Sequence, residues 1–358
     1  MRRSQDLSAG NHSTNLQGER DVFQAGQDIV QAGRDVVLVG ITYDQARQIA
    51  LDVFEANFLR LVGVAQDVAR DRAERIVRDF ADKLQAQDPN GLESMRDPDM
   101  LRSLYAAQEG YACSGEADLE KSLVDLLVDR AGQVERDTKT HVLNQAIATL
   151  PRLTKSQRAA LCAIFIVRHT RFVGPFEMPA FYGYMAECLV PFVDEVPDKM
   201  TDYGYMQSMG VGATSLGSIT IEAALYEHSY GYFSKGFTRE QAAAPWVAFL
   251  DDPDIFMPCL RDRQKLQIRA RSLAEVRELA AKKDVPTLVT HAATGRMQEP
   301  EMKADLIANV PRLKVLFDKW DGPAKISNFE INAVGIAIGH AVYRQVTGSE
   351  VPLDLFLP

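Results

Sequence analysis

Thr42-Tyr43-Asp44-Gln45-Ala46-Arg47-Gln48-Ile49-Ala50-Leu51-Asp52-Val53-Phe54 is the stretch on which the fold class turns. Thr42 and Gln45 have the spacing of a capping box, in which the hydroxyl accepts from an N–H three residues on and the amide side chain returns the bond. Beyond it Ile49, Val53, Phe54, Phe58, Leu61, Val64 or Ala65, Val68, Ile76, Phe80 and Leu84 recur every three or four residues, and no strong breaker intervenes before Pro89. This is one apolar helical stripe. Read as a single element it would be about 70 Å long at about 1.5 Å per residue, with Gly63 as its weakest position. A helix of that length is expected to pack on another copy or on a long helical partner. Its charged half, Asp67 to Lys83, mixes signs in Arg70-Asp71-Arg72 and Glu74-Arg75. That mixture reads as a solvated face laced with ion pairs, in preference to a docking face.

Outward from this stretch the same punctuation continues. Helices are expected over Asp99 to Ala112, Ala117 to Gly132 and Glu135 to Leu150, and over Ala159 to Phe172 behind a second box, Thr154-x-x-Gln157. Further boxes stand at Thr238-x-x-Gln241 and at Ser272-x-x-Glu275, the latter before Val276 to Lys283. Pro300 to Trp320 and Phe329 to Gln345 complete the set. No βαβ alternation is present, which disfavours a doubly wound nucleotide-binding sheet. The fold class predicted is mainly α: a multi-helix body that begins with a long helix.

Toward the N-terminus the texture is different. Gln24-Ala25-Gly26-Gln27-Asp28-Ile29-Val30 is followed by Gln31-Ala32-Gly33-Arg34-Asp35-Val36-Val37, with five of seven positions identical. A looser copy, Gln17 to Phe23, precedes them in phase. A coiled coil also repeats every seven residues, but a glycine in each unit would cost a helix about 1 kcal/mol apiece, and Val22, Ile29, Val30, Val36 and Val37 favour extended backbone. Each unit therefore reads as a short strand and a glycine turn, forming a small β-stem or β-solenoid rungs. So few short strands bury little and leave edges unpaired, so the segment needs a partner. The candidates are the helical body, the same segment of other subunits, or a fibre-like stack, against a flexible tail with coincidental repetition. The leading expectation is an intersubunit stem in which Val22, Phe23, Gly26, Asp28, Ile29, Val30, Gly33, Asp35, Val36 and Val37 mediate oligomerisation.

The organisation expected is a flexible N-terminus at 1–10, a β-repeat assembly segment at 11–40, an N-terminal helical region at 41–173, a Gly/Tyr/Phe-rich junction at 174–237 and a C-terminal helical region at 238–358. The 358 residues suffice for a sizeable core. With 40 Lys and Arg against 49 Asp and Glu the net charge is −9, which opposes a phosphate backbone, so nucleic acid is not expected as a partner. Cys113, Cys162, Cys188 and Cys259 form no C-x-x-C pair and read as reduced thiols. Neither a secretory signal nor a stretch of about 18 apolar residues is found, which predicts a cytoplasmic protein without stable membrane insertion.

Candidate chemistry is sparse. Gly210-Val211-Gly212-Ala213-Thr214-Ser215-Leu216-Gly217-Ser218 is glycine-rich, but it lacks the lysine and the preceding strand of a phosphate loop and reads as tight packing of small residues. The six histidines include no H-x-x-x-H or H-E-x-x-H pair, so neither a metal nor a cofactor is expected. Ser215 or Ser218 with Glu222, Glu227, His228 and Asp251 would be the material of a hydrolase site within 210–254, but no G-x-S-x-G elbow presents a serine, and no catalytic residue is assigned. Asp251, Asp252 and Asp254 read equally as a cation site or an interhelical turn. Gly210 to Leu225 is apolar enough to suggest a membrane-active effector, an idea that Glu222 opposes. Tyr203, Tyr205, Tyr226, Tyr230, Tyr232 and Phe233 cluster in a short part of the chain, as either core or a surface for a protein partner.

The order of these features resembles an uncharacterised bacterial protein family. The residues that carry the resemblance are the β-repeat, Gly40-Ile41-Thr42-Tyr43, Ile49 to Phe54 with Asn57-Phe58, Ser122 to Arg130, Gly217-Ser218-Ile219, Phe233 to Phe237 and Pro258-Cys259-Leu260. The resemblance implies a cytosolic, full-length architecture and brings no activity. The repeat in front of a helical region also resembles assembly segments of bacterial conflict proteins, which implies a role in antiphage defence. The reading reached is a non-enzymatic, self-assembling interaction or signalling protein.

Overall fold

The computed structural model describes residues 29–32, 35–38, 41–57, 64–88, 90–242 and 246–357. Two short strands come first, β1 (Ile29–Ala32) and β2 (Asp35–Leu38), paired antiparallel with Val30 opposite Val37 and Ala32 opposite Asp35. Of the repeat residues expected to mediate assembly, Ile29, Val30, Asp35, Val36 and Val37 fall in these strands, whereas Val22, Phe23, Gly26, Asp28 and Gly33 lie outside the described residues.

The long first helix is corrected to a hairpin. α1 (Tyr43–Asn57) and α2 (Val64–Gln87) are separate, and the Arg47–Glu74 and Arg70–Glu55 ion pairs, at 3.2 and 2.7 Å, join them in nested antiparallel register. In one continuous helix Arg47 and Glu74 would be about 40 Å apart. Burial explains the fold-back. Phe54 on α1 meets Ala69 and Ala73 on α2 together with Ala112, and a single extended rod could not close that cluster. Phe58, Leu61 and the suspected weak position Gly63 lie outside the described residues.

α3 (Pro98–Ser114), α4 (Ala117–Ala131), α5 (Thr138–Thr149) and α6 (Lys155–His169) follow closely on the expected boundaries. α6 is buried all round from Gln157 to Val167, so it is a central helix. Residues 174–237, the Gly/Tyr/Phe-rich segment, contain α7 (Met178–Leu189), α8 (Met200–Ser208), β3 (Gly212–Thr214) and α9 (Ile221–Ser229).

The remaining elements are β4 (Phe256–Pro258), β5 (Leu266–Ile268), α10 (Leu273–Lys282), α11 (Thr287–Thr294), α12 (Glu299–Asn309), α13 (Leu313–Trp320), β6 (Phe329–Ile331) and α14 (Ala333–Thr347). The single helix expected over Pro300 to Trp320 is divided, because Pro311 has no N–H to donate and keeps Val310 out of the helical region, at φ −135° and ψ 77°. The helix expected from Phe329 starts later, at Ala333, because 329–331 pair with β3. Asn332 separates the two elements, its Oδ1 accepting from Gly335 N at 3.1 Å.

α14 lies along α6 with Gly339 at the closest approach: a Cβ there would stand 2.9 Å from Leu161 O and from Phe165 Cβ. The C-terminal helix therefore completes the N-terminal bundle, and one hydrophobic core runs from Ala46 to Leu353 across residues 174–237. The boxes at Thr42 and Thr154 form with both reciprocal bonds. The box at Thr238 initiates only a three-residue 3-10 turn, Arg239–Gln241. At Ser272 half the box is made, since the Glu275 carboxylate accepts from Arg271 N at 2.7 Å.

Candidate functional site

α6 stops at His169 because Thr170 is extended and turns its hydroxyl back onto Ile166 O at 2.8 Å. α9 is capped by Thr220, whose Oγ1 accepts from Ala223 N at 3.0 Å. Between the two helix ends and β6 opens a cleft of about 400 Å³, lined by Arg168, His169, Ile219, Ala223, Ala224, Glu227, His228, Glu330 and Ile331. Its rim is fixed by hydrogen bonds to the main chain of Ile219. Ile219 N donates to Ser327 O at 2.8 Å, and Trp320 Nε1 donates to Ile219 O at 2.8 Å.

Arg168 secures the floor. Its Nη1 and Nη2 donate to Phe329 O and Ser327 O at 3.0 and 2.7 Å, and its guanidinium lies 5.6 Å from the Trp320 ring. Its Nε is sealed from solvent and unpaired. His169 stacks on Phe165 at 6.2 Å, and burial, with His228 and Arg168 adding to it, depresses its pKa to about 4. The imidazole is neutral at neutral pH. Neither His169 nor His228 makes a ring hydrogen bond among the described residues. Glu227 is held by Arg277 at 2.8 and 3.4 Å, whereas the exposed Glu330 carboxylate has no hydrogen-bond or ion-pair partner among them.

Of the residues considered for a hydrolase site, the fold brings Glu227 and His228 into the cleft and leaves the others elsewhere. Ser215 Oγ donates to Gly217 O at 2.9 Å, and Asp251 pairs with Arg239 at 2.5 Å. Glu222 is buried at the other side of α9, where desolvation raises its pKa. Asp252 binds Lys283 at 2.8 Å. Among the described residues no group of three or more His, Cys, Asp or Glu is arranged to hold a metal ion. Within the glycine-rich stretch Gly212–Thr214 form β3, and a Cβ on Gly212 would lie 2.4 Å from Glu330 O.

The tyrosine cluster is mostly core. Tyr203, Tyr226, Tyr230, Tyr232 and Phe233 are buried, and only Tyr205 of the six is exposed, its hydroxyl donating to Arg152 O. Tyr232 stacks on Phe181 at 4.3 Å and Phe233 meets the same ring edge-on. As a docking surface the set is reduced to Tyr205, because aromatic rings this closely interleaved satisfy one another. Cys162, Cys188 and Cys259 are buried free thiols, and Cys113 is exposed.

Arg168, His169 and Glu330 were not singled out for the site from the sequence. The histidines stand on different helices, so no local spacing signals them.

The features define a mainly helical protein with a half-open cleft carrying imidazole and carboxylate groups on apolar walls. The chain belongs to an uncharacterised family, whose sequence model matches residues 40–357. That match covers the helical body and begins after the repeat. No curated protein and no solved structure matches the chain. Among the described residues no helix is long and apolar enough to cross a membrane.

Proposed function

We propose that the protein is a self-assembling interaction protein in which the N-terminal repeat joins copies of the chain and the helical body is what the assembly displays. The observation that supports this reading is the two-stranded antiparallel sheet of β1 and β2, drawn from consecutive copies of one seven-residue unit. A hairpin of two four-residue strands is marginal in water by itself, and each strand offers an outer edge of N–H and C=O groups to a further strand. An identical unit from another copy is the partner whose register fits without further design.

The test is the solution mass by light scattering, over a range of concentrations, of the full chain, a truncation starting at Ile41 and the full-length double substitution Val30→Lys and Val37→Lys. A defined oligomer for the full chain and a smaller mass for both variants, with unchanged helical circular dichroism, is the expected result. A monomeric full chain, or one mass shared by all three proteins, would overturn the proposal.

A further inference from the structure

We infer that Glu120 on α4 and Asp79 on α2 share one proton, and that this carboxyl–carboxylate pair is a proton-dependent clasp holding the α1–α2 hairpin to the bundle. A contact one turn away sets the register of the two helices. Lys83 on α2 pairs with Asp125 on α4, and one turn earlier on each helix stand Asp79 and the neighbours Glu120 and Lys121. Asp79, Lys83, Lys121 and Asp125 line one cavity of about 300 Å³ at that seam.

Glu120 belongs to the first turn of α4, where the helix dipole favours a carboxylate, yet it is only 6% exposed and its Oε1 is sealed from solvent with no donor to accept from. From α2 it faces Asp79 and Arg75, and from α3 it faces Tyr111, whose hydroxyl accepts from Arg75 Nη1 at 3.3 Å and keeps its own proton to donate to Glu120. The other charges of the seam are placed elsewhere: Lys83 is held by Asp125, and Arg344 of α14 by Asp129 at 3.0 Å. Among the described residues neither Glu120, Asp79 nor Lys121 forms an ion pair. An ionised Glu120 would therefore be a desolvated charge beside a second carboxylate, whereas one proton between the two turns the sealed oxygen into a donor and the repulsion into a charge-assisted hydrogen bond. Burial raises the Glu120 pKa and Asp79 adds to the rise, against the opposing pull of Tyr111 and Arg75. Folding thus favours the protonated acid. The contribution of the clasp is full below the ordinary glutamate value of about 4.3 and is lost as pH rises through the folded value.

The clasp is independent of self-assembly, since both residues belong to the helical body. The experiment uses the full chain with 13C-labelled glutamate side chains, titrated by NMR upward from about the ordinary glutamate value, the Glu120 carboxyl signal being assigned by its loss in Glu120→Asp. Its midpoint is expected above the ordinary value, and lower in Asp79→Asn, a substitution at an exposed position that spares the core. Urea denaturation over the same range reads the linkage: the wild type should lose unfolding free energy relative to Glu120→Gln as pH rises, because the amide keeps a donor for Asp79 at every pH. A Glu120 midpoint at the ordinary value, a raised midpoint that Asp79→Asn leaves in place, or parallel denaturation profiles for the wild type and Glu120→Gln would each overturn the inference.

Discussion

Arg47 on α1 donates to Glu74 on α2 at 3.2 Å although 27 positions separate them. This contact turns one apolar stripe into two helices lying side by side, and it makes separate expectations for charge and for packing. Both side chains are about a third exposed, so the pair itself contributes little, and Glu74→Gln should lower unfolding free energy by less than about 1 kcal/mol. Ala73 on α2, fully buried in the cluster with Phe54 of α1, is where the hairpin is specified. Ala73→Leu should cost about 1–3 kcal/mol by overpacking, read from urea denaturation of both variants.

Gly335 in the first turn of α14 and Gly348 just after its last residue answer to different physics. A Cβ on Gly335 would stand 2.1 Å from Val211 O, a backbone atom that cannot rotate away, so Gly335→Ala should be among the more damaging alanine substitutions, at about 3 kcal/mol. Gly348 has open space around it but a φ of 64°. Gly348→Ala should cost about 1 kcal/mol, the left-handed penalty alone. Thermal unfolding of the two variants would reverse this account if Gly348→Ala proved the worse.

Arg261 reaches Asp305 with two parallel bonds of 2.6 and 2.7 Å, and Tyr182 donates to the same carboxylate at 2.8 Å. The ion pair is mostly buried and ties α12 to α7 and to the Tyr232 main chain, whose carbonyl accepts from Arg261 Nε at 2.8 Å. Asp305→Ala leaves a guanidinium without its partner and should destabilise by about 3–5 kcal/mol. Tyr182→Phe removes one neutral donor to the carboxylate and should cost about 1–2 kcal/mol in the same denaturation assay.

His340 is fully buried between Phe165 and Phe356, with Nε2 donating to Val351 O at 2.8 Å and Nδ1 unpaired. Burial, reinforced by Arg344 and opposed by the Val351 bond and Asp125, lowers its pKa to about 4. A histidine depressed in the folded state is protonated first in the unfolded chain. Stability is therefore full above about pH 6.5 and is lost as pH falls toward 4, by roughly 3 kcal/mol from this group. His169 titrates with the same sign. His340→Gln, which retains a donor for Val351, should flatten the stability profile over that window, measured by denaturant titration at several pH values.

The helices legible in the sequence were those whose signals are local. Thr154 with Gln157 and Thr42 with Gln45 cap as spaced, and α3 to α6 begin and end close to where propensity and punctuation place them, because capping bonds span three or four residues. The extents of elements beyond that range were misread wherever a distant neighbour intervened. Residues 329–331 are extended because β3, more than a hundred positions earlier, pairs with them. Tyr232 and Phe233 are core because the ring of Phe181 on α7 packs against both. Glu227 and His228 were noticed in the sequence, but their setting with His169, Arg168 and Glu330 was not.

By itself, then, the amino-acid order determined a mainly helical body, its caps and most of its helix ends, together with a seven-residue repeat in front of it. Periodicity and capping are short-range chemistry, satisfied within a turn or two. Only the tertiary structure decided that the first stripe doubles back, that α14 closes the bundle against α6 at Gly339, and that two helix ends and a strand leave a cleft with unpaired acceptors. Those outcomes depend on which distant surfaces bury each other, and burial is a property of the packed chain that no local spacing encodes.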